Sequence, residues 1–228
     1  MLPSPVTFSP SGSYEEALAR AALLWGIERE YWDVWGNRHE ASTEVQRAIL
    51  ASLGVRPDSR ESLDAAVEER LWQEWSRLLP ASIVLSENAS HVDAPVPVAL
   101  AQESIKVGIR WEDGTLEHRW FWLPELPDSG AAELRGQRFV KKRLSLPALR
   151  LGYHELQISV LSNSADPVAE AARLAVCPER AWRPPEAEMG PSAGVAVSLY
   201  GLRSARNWGC GDFTDLYPLI DWAAQDVG

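Results

Sequence analysis

The stretch Gly194-Val195-Ala196-Val197-Ser198-Leu199 constrains this chain most. It is apolar on both faces of an extended segment, the pattern of a strand inside a parallel sheet. A loop rich in glycine, asparagine and arginine follows, from Tyr200 to Gly211. Asp212 then stands at a helix N-cap position. Leu216, Leu219, Ile220 and Ala223 lie behind it, and Pro218 interrupts the helical pattern. Together these residues make one strand-loop-helix unit. A lone parallel strand has nothing to pair with, and a (β/α)8 barrel takes about 200 residues or more. The segment 194–228 is therefore expected to be either stranded or docked on missing chain.

Upstream, the apolar period changes twice. Residues 11–80 read as helical. Ser13-Tyr14-Glu15-Glu16 has the form of a capping box, and Tyr14, Leu18, Ala21 and Trp25 follow at helical spacing. A second helix begins near Ser42 or Thr43 with Val45, Ile49, Leu50 and Leu53 as its apolar face. A third begins around Ser62, carries Leu63, Val67, Leu71, Trp75 and Leu78, and is ended by Pro80. Trp32 and Trp35, three apart, are expected on one helical turn with a shared buried face.

Residues 83–177 read as antiparallel β. Asp113-Gly114 predicts a two-residue type I′ hairpin turn. That turn sets Trp111 opposite Leu116, Ile109 opposite His118, Val107 opposite Trp120 and Ile105 opposite Trp122, with Arg110 facing Glu117 on the other side. Trp120 and Trp122 then belong to the core, and Phe121 points outward. Alternation predicts further strands through His154, Leu156, Ile158 and Val160 and through Ala172, Leu174 and Val176. His118 and His154 are expected as hydrogen-bonded core residues. Pro178, Pro184, Pro185 and Pro191 mark a stiff linker. The expected fold class is multidomain α+β. A helical region at 1–80 precedes an antiparallel β-sandwich at 81–178, of the immunoglobulin-like or carbohydrate-binding-module-like kind. A Pro-rich linker at 179–193 leads to the strand-loop-helix unit at 194–228.

The formal net charge of -10 argues against nucleic acid as a partner. The basic run Lys141-Lys142-Arg143 reads as a solvated strand edge. Residues 1–10 have neither the basic nor the apolar part of a signal peptide, and no apolar run is long enough to span a membrane. Two cysteines are too few for a disulfide framework, so the expected location is cytoplasmic. The four histidines are scattered, without metal-ligand spacing. Eleven tryptophans are many for 228 residues; indole faces suit both cores and the apolar faces of sugar rings.

Two stretches resemble a known family. Leu199-Tyr200-Gly201-Leu202-Arg203-Ser204-Ala205-Arg206-Asn207-Trp208-Gly209-Cys210-Gly211-Asp212-Phe213-Thr214-Asp215-Leu216 is similar to the start of the catalytic barrel in the 4-α-glucanotransferases of glycoside hydrolase family 77, the amylomaltases. Trp25-Gly26-Ile27-Glu28-Arg29-Glu30-Tyr31-Trp32-Asp33-Val34-Trp35-Gly36-Asn37-Arg38-His39-Glu40 looks like the helical N-terminal region of the long bacterial members. Gly152-Tyr153-His154-Glu155-Leu156 is similar to their sandwich. Cys210 and Ser198 depart from the family pattern, which more often has a β-branched residue and a glutamine there.

The resemblance implies transfer of α-1,4-glucan segments between maltodextrins by a retaining double displacement, without an organic cofactor or metal. It also implies that 194–228 is the first βα unit of a truncated (β/α)8 barrel, with the missing barrel of the same polypeptide as its partner. The family's catalytic carboxylates lie on later barrel strands, so no catalytic residue is assigned to this chain. Ser198, Tyr200 and Trp208 lie at or beyond the carboxyl end of the first barrel strand and are the candidates for lining a sugar cleft. Arg203, Arg206 and Asn207 are expected to hold the loop through backbone carbonyls, Asp212 to cap the helix, and Asp215 to complement its dipole. The alternatives are a stand-alone maltodextrin-binding module and a purely structural interaction domain.

Overall fold

The computed structural model describes residues 4–161, 168–183 and 194–227. Two compact units divide the chain, Met1–Glu179 and Arg180–Gly228. The first begins with β1 (Val6–Thr7), α1 (Tyr14–Leu24), a hairpin of β2 (Glu30–Trp32) and β3 (Arg38–Glu40), α2 (Thr43–Ser52) and α3 (Arg60–Ser76). It continues through β4 (Ser82–Ser86), β5 (His91–Pro97), β6 (Ser104–Arg110), β7 (Leu116–Trp122), β8 (Asp128–Leu134), β9 (Gln137–Ser145), β10 (Gly152–Leu161) and β11 (Val168–Cys177).

Each helix of this unit starts where a serine can take an otherwise unpaired N–H. Ser13 Oγ accepts from Glu16 N–H at 3.1 Å, while the Glu16 carboxylate accepts from Gly12 N–H at 2.7 Å. Ser42 caps α2 in the same way. The third helix starts earlier than expected because Ser59 is its cap. Ser62 is the reciprocal residue of that box, its hydroxyl accepting the Ser59 N–H at 3.2 Å. Ala17, Leu18, Ala21 and Ala22 of α1 are buried with Leu50, Leu63 and Val67. The stripe expected to bury α2 does not: only Leu50 enters the core, and Val45, Ile49 and Leu53 stay exposed.

Trp32 and Trp35 are not on a helical turn. They belong to the β2–β3 hairpin, 65% and 83% exposed. Asp33 decides this locally. Its carboxylate accepts from Trp35 N–H at 2.9 Å, Asn37 N–H at 2.8 Å and the Asn37 side chain at 3.0 Å, and it meets His39 Nε2 at 2.9 Å. An aspartate that satisfies this many donors through a tight turn competes effectively with helix.

The strands form two sheets, ordered β1-β8-β9-β5 and β4-β11-β10-β6-β7. The sandwich is mixed, not wholly antiparallel, because β1 runs parallel to β8 and β4 parallel to β11. Between the sheets lie Val92, Ala94 and Val96, the Ile105, Val107 and Ile109 face, and the predicted stripes of β10 and β11. Helix α3 covers the other face of the four-stranded sheet, where Trp75 is buried with Ala132, Leu134 and Phe139. The basic run is therefore no solvated edge: β9 lies inside its sheet. Lys141 Nζ reaches Glu74 at 2.9 Å, Lys142 is buried with its Nζ 2.7 Å from Asp128, and Arg143 pairs with Asp93.

The β6–β7 register departs by one residue from the expected one. Ile105 faces Phe121, Val107 faces Arg119, Ile109 faces Glu117 and Arg110 faces Leu116. The loop has three residues, closed by Trp111 N–H to Thr115 carbonyl at 2.8 Å. A type I′ turn needs positive φ at both central residues. Of the pair only Gly114 has it (φ 84°), while Asp113 accepts from Thr115 N–H at 2.9 Å and Thr115 O–H at 2.6 Å. The two-residue positive-φ turn occurs instead at Arg135-Gly136 (φ 50° and 74°), between Leu134 and Gln137. The slip reverses three expectations, because alternate side chains exchange faces. Phe121 packs toward the core, whereas Trp120 (52% exposed), Trp122 (46% exposed) and the exposed His118 lie on the outer face. His154 is buried as expected, its Nδ1 accepting from Glu112 N–H at 3.1 Å and its Nε2 2.7 Å from the Arg150 carbonyl.

In the second unit, residues 194–198 form no strand. An extended segment becomes a strand only by pairing, and no described strand lies beside this one in its unit. A 3-10 turn at Leu199–Gly201 follows, then the loop, then α4 (Phe213–Trp222), which runs through Pro218 without starting later. Of the expected linker at 179–193, residues 184–193 lie outside the described residues. No helix among the described residues is long and apolar enough to cross a membrane.

Candidate functional site

The loop between Leu199 and Asp212 is built around one carboxylate. Asp215, in the first turn of α4, has a side chain 3% exposed. It accepts from Ser204 Oγ at 2.7 Å, Asn207 Nδ2 at 2.9 Å and Asp212 N–H at 3.0 Å, and pairs with Arg206 at 3.0 Å. The hydrogen bond from Asn207, then those from Asp212 N–H and Ser204, hold its carboxyl well below the usual range. Asp212 is the helix cap, accepting from Thr214 N–H at 2.8 Å and Asp215 N–H at 3.3 Å. Its carboxyl is also lowered, first by the Arg206 guanidinium that contacts it.

The remaining loop residues hold shape as well. Arg203 donates to the carbonyls of Tyr200 (3.3 Å) and Leu202 (3.2 Å), and Asn207 donates to Leu202 carbonyl at 3.2 Å. Arg206 differs from expectation: its guanidinium pairs with Asp212 and Asp215. Gly211 is required by space, since a Cβ there would lie 2.3 Å from Leu199 carbonyl oxygen. Asp212 and Asp215 stay ionised near neutrality and are committed to donors within the loop, so neither is suited to donate a proton.

Of the candidate residues, Ser198 and Tyr200 stand at the start of this loop and Trp208 near its far end. Ser198 is exposed, Tyr200 is 72% exposed and Trp208 is fully so. The loop thus carries two aromatic rings outward on a rigid hydrogen-bonded base. No group of three or more histidine, cysteine, aspartate or glutamate side chains suited to a metal occurs among the described residues. The sequence reading missed Trp120 and Trp122 as surface residues. The signal was Thr115, whose N–H and O–H both satisfy Asp113 and favour the longer turn.

Residues 78–178 match the family model described as the MalQ N-terminal beta sandwich domain. Over 218 residues, 93% of this chain, it is 31% identical to proteins named 4-alpha-glucanotransferase from Mycobacterium bovis and Mycobacterium tuberculosis. The chain is thus similar to part of those glucanotransferases over nearly its whole length, and its sandwich residues match a MalQ N-terminal domain. It spans 28% of the length of those mycobacterial relatives. A Haemophilus influenzae protein of the same name is 44% identical over 82 residues, 36% of this chain and 11% of its own length. Among solved structures, the periplasmic chaperone SfaE aligns with 46% of this chain and 58% of its own. Its identity is 11% and its TM-score 0.26, too slight a likeness to bear on the fold.

Proposed function

We propose that this chain is the N-terminal part of a cytoplasmic 4-α-glucanotransferase that moves α-1,4-glucan segments between maltodextrins by a retaining double displacement. The observation that carries the reading is the 31% identity to the mycobacterial enzymes across 93% of the chain. The hydrogen-bonded loop at 199–212, with Tyr200 and Trp208 exposed, supports it. In this reading 1–80 is the helical region, 81–178 the sandwich, 179–193 the linker and 194–228 the first βα unit of the barrel, whose further strands supply the sheet that Val195 and Val197 lack. Ser198, Tyr200 and Trp208 line the sugar cleft at the carboxyl end of the first strand. The nucleophile and the acid belong to later strands. A sugar hydroxyl, not water, then resolves the glycosyl intermediate.

The test is disproportionation of maltotriose, followed by glucose release. The protein containing this chain together with the rest of its barrel is expected to release glucose and longer maltodextrins, and the 228-residue chain alone to release none. Failure of the longer protein to transfer would overturn the activity. Glucose release by the chain alone would overturn the placement of the carboxylates.

A further inference from the structure

The sandwich has one covered outer face and one open one. Helix α3 lies on the four-stranded sheet, while the outer face of the five-stranded sheet carries Trp120 and Trp122 on the edge strand β7. Two positions along a strand are about 6.6 Å apart, so the two indoles form a short ladder on one face. Beside them the floor is low. The row through Trp120 continues across the sheet as Lys106, Ser159 and Ala169, and the next row runs His118, Gly108, Gln157 and Ala171. Lys106 Nζ sits 5.6 Å from the Trp120 ring centroid.

That composition discriminates between occupants. The cores of protein–protein interfaces are depleted in lysine, serine and alanine, and Lys106, Ser159, Ala169 and Ala171 make up much of this floor. A sugar ring differs: it has an apolar C–H face that stacks on indole and a rim of hydroxyls that needs donors and acceptors. Gln157, Ser159, Lys106 and His118 offer both beside the rings. An anionic polymer is disfavoured by the net charge of -10.

We propose that the outer face of the five-stranded sheet is a non-catalytic docking site for α-1,4-glucan chains, with Trp120 and Trp122 as its stacking platform. The proposal rests on the glucanotransferase reading for the identity of the sugar. The face holds a glucan chain and raises its local concentration for the transferase centre.

Native gel electrophoresis of the 228-residue chain through soluble starch, with maltoheptaose titration as the quantitative readout, tests it. Wild type is expected to be retarded by starch. Trp120→Ala and Trp122→Ala should each weaken binding about tenfold or more, corresponding to about 1.4 kcal/mol, and Trp182→Ala, an exposed indole outside the sandwich, should leave it unchanged. Both test positions are half-exposed, so the variants should fold, as circular dichroism can establish. Absence of retardation in wild type, or equal retardation in all variants, overturns the platform. So does a Trp120→Ala/Trp122→Ala pair that lowers the melting temperature of the longer protein but not of this chain, since the face is then covered by another domain. Maltotriose disproportionation by the longer protein reads the transferase separately: activity with unaltered starch binding overturns the platform alone.

Discussion

The one-residue slip in the β6–β7 pairing makes a sharp stability prediction. In the observed register Phe121 points inward and packs on the sandwich core, while Trp120 and Trp122 are 52% and 46% exposed. Truncating a fully buried phenylalanine costs about 3–5 kcal/mol. Phe121 is only partly buried, which brings Phe121→Ala to about 2 kcal/mol. Trp122→Ala removes surface atoms and should stay within about 0.5 kcal/mol. Trp120→Ala adds loss of the Lys106 contact, worth about 0.5–1 kcal/mol at an exposed site. For a unit of this size each kcal/mol moves the melting temperature by about 2–4 °C. Phe121→Ala should therefore melt about 4–8 °C below wild type, Trp122→Ala no more than about 2 °C below, and Trp120→Ala, at no more than about 1.5 kcal/mol, less far below than Phe121→Ala. Thermal denaturation followed by circular dichroism measures all three. If either tryptophan variant melts lower than Phe121→Ala, the pairing is the two-residue-turn register and the reasoning fails.

Lys142, with a side chain 7% exposed, depends on Asp128 at 2.7 Å. Asp128→Ala leaves that charge buried and should cost about 3 kcal/mol, while Asp128→Ala/Lys142→Met should recover most of it in urea denaturation. An equal cost for the single and double variants would contradict this. The Asp33 carboxyl is lowered to about 2, first by its hydrogen bond with His39 and then by those from Asn37. Its folded value lies below its unfolded value of about 3.9. Its contribution is therefore complete above that pH and is lost as pH falls through about 2. The Trp35 backbone amide resonance should accordingly hold its position near neutral pH and shift with a midpoint near about 2; a shift centred near about pH 6 would exclude Asp33 as the cause. Gly211→Ala would put a Cβ 2.3 Å from Leu199 oxygen and 2.7 Å from Leu202 Cβ. The loop should open and trypsin should cut after Arg203 or Arg206 faster than in wild type; unchanged cleavage would show that the loop tolerates the side chain.

Local chemistry was the part legible in the chain. Serine caps at 13 and 42, the Asp212 cap and the alternation of Leu156, Ile158 and Val160 each involve groups a few residues apart, so short windows contain the whole interaction. The loop at 199–212 was legible for another reason: many specific residues agree within one run. Its internal geometry was only partly so. That Arg203 and Asn207 bind carbonyls could be anticipated, but Asp215 as the common acceptor for Ser204, Asn207 and Arg206 depends on how the loop folds back on α4.

The sequence by itself determined the serine-capped starts of α1 and α2, the Asp212 cap, the strands of strong alternation and the similarity to the glucanotransferases. Tertiary structure decided the rest, wherever two local solutions were close in energy. Asp113-Gly114 can close a two-residue or a three-residue turn. The choice falls to the longer one, with Phe121 on the core side against Ile105 and the tryptophans outside. Lys142 can be solvated or buried, and the placement of β9 between β8 and β5 buries it against Asp128. The Val195–Leu199 segment can be strand or coil, and pairing with a neighbouring strand is what makes the difference. In each case the deciding partner lies far away in sequence, where periodicity and turn propensity carry no information.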